Sequence, residues 1–468
     1  MQPDLRSTTP IVQRADDAPD VELRPPAPVP HRRPLNVAEF VLTAFRNPLE
    51  LWGARAYSEP VVRANWLGTP TIIVSDPAAI RYLLVENADN YVMQPLRQRV
   101  LRPILRDGLL TAEGALWRRT RRAIAPIFAP RNIAGLAPVM RDTAEHFATA
   151  LGRAGEVCDL SVEMTRLTYE ILQATLFSGD IAGEPAEFAA AVAKLLRTMG
   201  HVDPLDILDA PAFLPRPTRA LGRRSERYFR ALIAATIERR QQALARGGAA
   251  PNDLLTLLLG AKDLARSEIE DNIVTFIGAG HETTSRALGW TLYLLSQAPG
   301  ERALVEAEID SELDSLDEPA LWLQRLVHTR AAFEEAMRLY PPAPSLNRSA
   351  VAADRFGEVD IPTGASVLVL PWIVHRHEKL WADPNLFRPA RFRPGQRDNI
   401  DRYQYLPFGV GPRTCIGQSF AMQEGIIALA LLMRRLRFDY AGVRPPLPVQ
   451  KITVQPDIPL LMHVSARR

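Results

Sequence analysis

Three stretches of this sequence predict a mainly α fold with a small β region. Residues 132–247 carry long helical patterns broken at Gly152, Gly179, Gly183 and the proline-rich PAFLPRPT. A further helix opens at Ser267 and runs to about Ser296, before Pro299-Gly300. The strand signal is short: from Pro60, VVRANWLGTPTIIVSD reads as two strands around a Gly-Thr-Pro turn, followed by a helix starting near Asp76.

The 468 residues are 47% hydrophobic and 23% charged, ordinary proportions for a soluble globular enzyme with a large core. A net charge of +3 is too small on such a chain to argue for nucleic acid. Two cysteines give no disulfide framework and suit a reducing cytoplasm. Of these, Cys158 reads as core. No apolar run reaches the roughly 20 residues that a spanning helix needs, and the N-terminus lacks a signal-peptide core, so no transmembrane anchor is expected. Residues 1–34 are proline-rich and charged and read as a disordered or surface-hugging tail, with a docked tail as the alternative.

The segment from about Ala88 to Asp107 has weaker periodicity. After it, LTAEGALWRRTRRAIAPIF is helical by spacing, and Trp117 and Arg121, four apart, project from one face. Amphipathic stretches such as RALIAATIERRQQALAR read as core-packing helices. The helix from Ser267 spans roughly 45 Å, and its SEIE start offers a capping box of Ser267 with Glu270. Inside it, GAGHETT sets two glycines at mid-helix, each costing about 1 kcal/mol relative to alanine. Thr283 can return its hydroxyl to the Ala279 carbonyl, which bends the helix and opens a groove. In FEEAMRLYPP, Glu335 and Arg338 are neighbours on one helical face, and Pro341 and Pro342 end that helix at Tyr340.

The stretch FGVGPRTCIG, Phe408 to Gly417, brackets Cys415 with three glycines and an arginine just before an apolar helix, GIIALALLM. Backbone N–H groups and the helix dipole are expected to lower the thiol pKa and keep Cys415 an anion. Gly409, Gly411 and Gly417 leave a flat macrocycle room against the backbone, and Phe408 covers the sulfur from the other side. The loop has room for a haem. Taken alone, Cys415 would read as a small buried hydrophobe.

The whole pattern, FxxGxRxCxG, resembles the haem-ligand signature of the cytochrome P-450 family, with Phe408, Gly411, Arg413, Cys415 and Gly417 in place. The resemblance runs from about residue 40 to the C-terminus and implies one large, mainly helical catalytic domain, 35–468, with a long central helix and haem b (iron protoporphyrin IX) on Cys415. Trp117 and Arg121 match the family's WxxxR, which implies a hold on a haem propionate, and Arg348 falls where relatives place another propionate arginine. Ala279, Gly280, Glu282 and Thr283 match the AGx(D/E)T oxygen-binding motif. By that likeness Thr283 serves the oxygen site and Glu282 relays solvent protons for heterolytic O–O cleavage. Glu335, Arg338 and Arg391 resemble the triad that brace the haem loop, although Ala390 replaces the usual glutamate of PERF. The family also implies a mobile lid between about 180 and 230, with Ser345 and Asn347 near the pocket.

Thiolate ligation favours O–O cleavage, so the resemblance implies a monooxygenase that takes one oxygen atom of O2 into a C–H bond of an apolar molecule, such as a fatty acid or terpenoid. GHETT, PWIVHRHEKLW and FGxGxRxCIGQ look closer to the fatty-acid-hydroxylating branch than to the camphor-type one. With about fifty residues after Cys415, a fused flavin or iron–sulfur module is not expected. Electrons are then expected from NAD(P)H through a ferredoxin or flavodoxin and its reductase, on a basic face of Arg118, Arg119, Arg122 and the RRLR that ends the cysteine helix. The alternatives are a peroxide-using or isomerising haem-thiolate enzyme and a non-catalytic haem sensor. Keeping the acid-alcohol pair argues against both.

Overall fold

The computed structural model describes residues 22–467, with 67, 155–156, 182–186, 188–216 and 316 outside the description. Most of the expected lid, Gly183, most of PAFLPRPT and the tail up to residue 21 lie outside the described residues. Helix α1 (Val37–Arg46) opens on an Asn36–Glu39 capping box. Strands β1 (Val61–Trp66) and β2 (Thr69–Val74) then pair antiparallel, from Val61↔Val74 to Trp66↔Thr69. Asp76 caps α2 (Pro77–Arg81) by accepting from the Ala79 N–H at 2.8 Å.

The sheet is completed by chain from far away. Its order is β1-β2-β5-β4-β3, where β3 is Tyr91–Met93, β4 is Leu346–Ala350 and β5 is Ser366–Val369. β5 lies parallel to β2, with Thr71 opposite Ser366, and β4 runs antiparallel to β5, with Leu346 opposite Val369. Leu346 thereby reaches the cysteine loop at Gly409. A hairpin of β6 (Pro448–Gln450) and β7 (Val454–Pro456) follows near the C-terminus.

The helical body comprises α3 (Pro95–Leu105), α4 (Gly114–Ile124), α5 (Ala137–Ala154), α6 (Leu160–Phe177), α7 (Pro217–Ala245), α8 (Arg266–Gln297), α9 (Val327–Leu339) and α10 (Gln418–Arg435). Its axis is α8, about 48 Å long at 1.5 Å per residue, against which α6, α9 and α10 pack. One apolar cluster runs through these helices from Leu49 to Val464. Helices α9 and α10 approach closely because residue 425 is glycine, where a Cβ would overlap the Phe333 ring. α9 stops at Leu339, as the two prolines require.

The start of α8 differs from the expectation. Ala265 is the N-cap, and Glu268 reaches back to its N–H at 2.8 Å, while Glu270 pairs with Arg266 at 3.2 Å. Glu268 is also held by Arg119, a tertiary contact that fixes this register over the Ser267–Glu270 alternative. Cys158 is half-buried in the strand Val157–Asp159, where burial pushes its thiol up to about 11.

The described part of the proline-rich segment is docked. The Phe387 N–H donates to the Leu23 carbonyl at 2.9 Å and the Tyr340 hydroxyl to the Pro26 carbonyl at 2.8 Å. Arg388 pairs with Glu22 at 3.0 Å. A proline-rich chain is poor in donors but retains every carbonyl, so it can satisfy the buried Tyr340 hydroxyl. No helix among the described residues is long and apolar enough to cross a membrane.

Candidate functional site

The cysteine loop is a tight backbone construction. Gly409 N–H donates to Leu406 O at 3.1 Å, Thr414 N–H to Gly411 O at 3.0 Å, and Cys415 N–H to Phe408 O at 2.8 Å. Gly409 and Gly411 have φ of 69° and 74°. At Gly411 a Cβ would also overlap the Leu84 carbonyl, so the protein's own backbone already demands that glycine. Gly417 caps α10, with its Cβ position 3.9 Å from Cys415 Sγ. Phe408 is half-buried against the main core.

By surface area Cys415 is exposed, yet desolvation by surrounding protein dominates its titration. An inward-facing surface reconciles the two. The expectation of a lowered thiol pKa is corrected: burial pushes it up, and the Gly417 N–H and Arg121 pull back only in part. In the chain alone the dipole argument loses to desolvation.

A second accessible strip lies at mid-α8. Ala279 is exposed and Gly280 and Thr283 are half-buried, although Asp271–Gly278 and Ala287–Leu295 are buried on either side. The Thr283 hydroxyl donates to the Ala279 carbonyl at 2.7 Å, as its position allows. Thr275 and Thr291 make the same back-bond at 2.8 and 2.7 Å, so the bond alone does not mark a special threonine. Glu282 Oε1 accepts from the Thr453 hydroxyl at 2.8 Å and stands 3.8 Å from Arg286.

Beside the cysteine loop, positive charge accumulates. The Arg413 guanidinium lies 4.2 Å over the Trp117 ring, donates to the Ala112 carbonyl at 2.8 Å and pairs with Glu113. Arg348 donates to the Asn347 carbonyl at 3.0 Å and Arg97 to the Ser345 carbonyl at 3.1 Å. Burial, then the Arg97 charge, pulls Arg348 down to about 10, and burial against the attraction of Glu113 pulls Arg413 to about 10. Burial also lowers Arg97 and Arg121, the latter facing Cys415. Glu113 is the one carboxylate recorded among these four arginines in the described residues. A cleft of about 330 Å³ opens here, lined by Glu113, Trp117, Arg348 and Arg413. It lies along the arginines and does not reach Cys415 or Thr283.

These observations meet the demands of an iron porphyrin. An inward-facing thiol supplies a soft ligand that a metal deprotonates outright, and underpaired half-buried arginines supply cations for two propionates. Arg97 is a residue the sequence reading missed. PLRQR stood in the weakly periodic segment, and only the pairing of β3 with β4 brings it beside Arg348.

The brace behind the loop is buried and fully bonded on one side. Glu335 and Arg338 are 0% exposed and 2.7 Å apart. Arg338 also donates to the carbonyls of His375, Pro384 and Leu386 at 2.7, 2.7 and 2.9 Å. Arg391 Nε stands 3.5 Å from Glu335 Oε1 without forming a hydrogen bond, and Arg391 Nη2 donates to the Asp383 carbonyl at 2.8 Å. His375, also missed, connects brace to loop, since the Leu406 N–H donates to its Nε2 at 2.7 Å.

The expected basic face is largely neutralised. Arg118 pairs with Asp89 at 3.2 Å, Arg119 with Glu268, Arg434 with Asp314, Arg435 with Glu145, and Arg437 with Asp439 at 3.2 Å. Helix ends draw acidic neighbours from adjacent elements, which a linear reading does not show.

A family model described as Cytochrome P450 matches residues 26–462. Cyclooctatin synthase of Streptomyces melanosporofaciens is 30% identical over 432 residues, covering 91% of this chain and 92% of that protein. Protein LUTEIN DEFICIENT 5, chloroplastic, of Arabidopsis thaliana is 29% identical over 401 residues, covering 80% of this chain and 66% of that relative's length. A crystal structure of a cytochrome P450 (CYP102L1) shares the fold, with a TM-score of 0.78 at 24% identity, covering 94% of this chain and 100% of that one.

Proposed function

The chain belongs to the cytochrome P450 family of haem-thiolate monooxygenases, and from that premise we propose that it oxygenates a C–H bond of an apolar organic substrate, a fatty acid or terpenoid, using O2. Electrons come from NAD(P)H through a separate ferredoxin or flavodoxin and its reductase, in the cytoplasm. Residues 35–468 act as one catalytic domain.

The observation that carries this reading is the cluster of four arginines with one carboxylate beside the inward-facing Cys415. Bound haem, held through the Cys415 thiolate, supplies dioxygen activation and oxygen insertion. Arg97, Arg121, Arg348 and Arg413, with the Trp117 indole, hold its propionates. Phe408 shields the sulfur. Ala279 and Gly280 keep the exposed strip of α8 narrow, so oxygen and substrate meet there. Thr283 gives up its bond to the Ala279 carbonyl and presents its hydroxyl hydrogen to that strip, while Glu282 carries solvent protons to it. Glu335, Arg338 and Arg391 keep the loop in place.

The test is the carbon monoxide spectrum of the reduced protein, compared with Cys415→Ala. A red-shifted Soret band that vanishes in the variant is expected, and its absence, or its persistence in the variant, would overturn the reading. Product formation with NAD(P)H and surrogate redox proteins, but not with hydrogen peroxide alone, separates monooxygenation from peroxygenation.

A further inference from the structure

One stripe of α8 is stitched to the C-terminal hairpin. Glu282, Arg286 and Trp290 recur every four residues and so share a helical face. They meet three consecutive hairpin residues. The Thr453 hydroxyl donates to Glu282 Oε1 at 2.8 Å, Arg286 Nη2 donates to Gln455 Oε1 at 3.4 Å, and Trp290 Nε1 donates to the Val454 carbonyl at 3.3 Å. The hairpin is fixed from its other side, where Val454 N–H donates to the Pro342 carbonyl at 3.2 Å.

The surroundings of Glu282 give this bond a directing effect. Thr453 is 3% exposed, so its hydroxyl meets little competing water. Arg286 Nη2 stands 3.8 Å from the same Oε1, too far for a hydrogen bond, and Arg286 Nε is buried without a partner among the described residues. Asp159 also faces Arg286, and His281 is turned away to the Ile277 carbonyl at 2.7 Å. Glu282 itself keeps 19% of its side chain exposed. A carboxylate beside an under-bonded guanidinium is drawn onto it unless another bond holds it off, since a bond in which both partners are ionised is stronger than one from a neutral hydroxyl.

We propose that Thr453 is a positioning residue for proton delivery by Glu282. By occupying Oε1 it keeps the carboxylate from closing onto Arg286 and leaves Oε2 to exchange protons. In one cycle Oε2 takes a proton from solvent and releases it inward, while the Thr453 hydrogen stays on its own Oγ1. The inference rests on the reading of Glu282 as proton carrier.

The experiment uses full-length, haem-loaded protein and the variants Thr453→Val, Thr453→Ser and Glu282→Gln, with Thr453→Ala as the second deletion should valine fail to load haem. The first readout is infrared: the carboxylate bands of residue 282, isolated by subtracting the Glu282→Gln spectrum. The second is NAD(P)H-driven hydrogen peroxide release without organic substrate, using plant ferredoxin and its reductase, in light and heavy water. Thr453→Val is expected to shift the carboxylate bands and to slow peroxide release about threefold to tenfold, the effect one lost hydrogen bond supports, with an altered solvent isotope effect. Thr453→Ser is expected to retain the parent bands and isotope effect. Parent-like bands and isotope effect in both deletions would overturn the role of Thr453 while leaving the role of Glu282 standing. An unchanged isotope effect in Glu282→Gln would overturn the proton-carrier reading, and this inference with it.

Discussion

His375 accepts a hydrogen bond from the Leu406 backbone N–H at 2.7 Å, and this pairs the buried brace with the loop that carries Cys415. The bond demands a neutral ring: Nε2 accepts, so Nδ1 holds the hydrogen and donates to the Arg338 carbonyl at 3.2 Å. Burial, followed by the Arg338 charge, pushes the His375 pKa well below its ordinary value. As pH falls through about 6.5, the unfolded chain takes up a proton that the native ring refuses. Stability from this group is therefore complete above that pH and declines below it. His375→Gln removes the titration, so its melting temperature should fall less than the parent's between about pH 7.5 and about pH 5.5. Parallel melting curves across that range would refute the account.

Glu424 on α10 is the mirror case. It is 0% exposed, and among the described residues neither carboxylate oxygen has a hydrogen-bond partner; the nearby Thr284 hydroxyl donates instead to the Gly280 carbonyl at 3.2 Å. Burial raises its pKa to about 8, with Thr284 opposing weakly. The native acid keeps its proton while the unfolded chain has lost it, so this group's contribution falls as pH rises from about 4.5 to about 8 and is level beyond. Glu424→Gln should match the parent near pH 5 and exceed it by about 4 kcal/mol near pH 9, in denaturant titrations. A gap independent of pH would contradict the buried-acid assignment.

Arg97 and Arg348 repel one another in the chain alone. Arg97→Met should therefore raise the melting temperature of the haem-free protein while weakening its hold on haem. Loss of one charge-assisted bond is about 1.5–3 kcal/mol, or roughly tenfold to a hundredfold faster haem transfer to apomyoglobin. Unchanged transfer would remove Arg97 from the propionate group.

Removing the Glu335 carboxylate strands Arg338 in the interior with carbonyls and the Trp381 ring but, among the described residues, no paired carboxylate. Glu335→Ala should lose about 3–5 kcal/mol in denaturant unfolding and most of its haem content. Arg391→Ala should lose clearly less, because its contact to Glu335 is 3.5 Å and lacks hydrogen-bond geometry. Equal losses would show that the three act as one unit.

What the sequence revealed were features local in the chain. Pro341 and Pro342 end α9 wherever it packs, Gly68 turns β1 into β2 although Thr69 and Pro70 of the expected turn already pair within β2, and the spacing from Phe408 to Gly417 survives as a hydrogen-bonded loop. What escaped depended on distant partners. His375 matters because Leu406 is thirty-one residues further on, and Arg97 because its acceptor is the Ser345 carbonyl. The thiol of Cys415 escaped for a different reason: helix dipole and amide are visible in sequence, but the desolvation that outweighs them is a property of the assembled fold.

The segment at 22–26 offers its carbonyls and a carboxylate to Tyr340, Phe387 and Arg388, and the Arg388 N–H in turn donates to Glu335 at 2.8 Å. Trimming the protein to a supposed minimal catalyst at residue 35 would strip those acceptors from the outer wall of the brace. An expression scheme that treats the proline-rich leader as dispensable packaging would be removing a fastening.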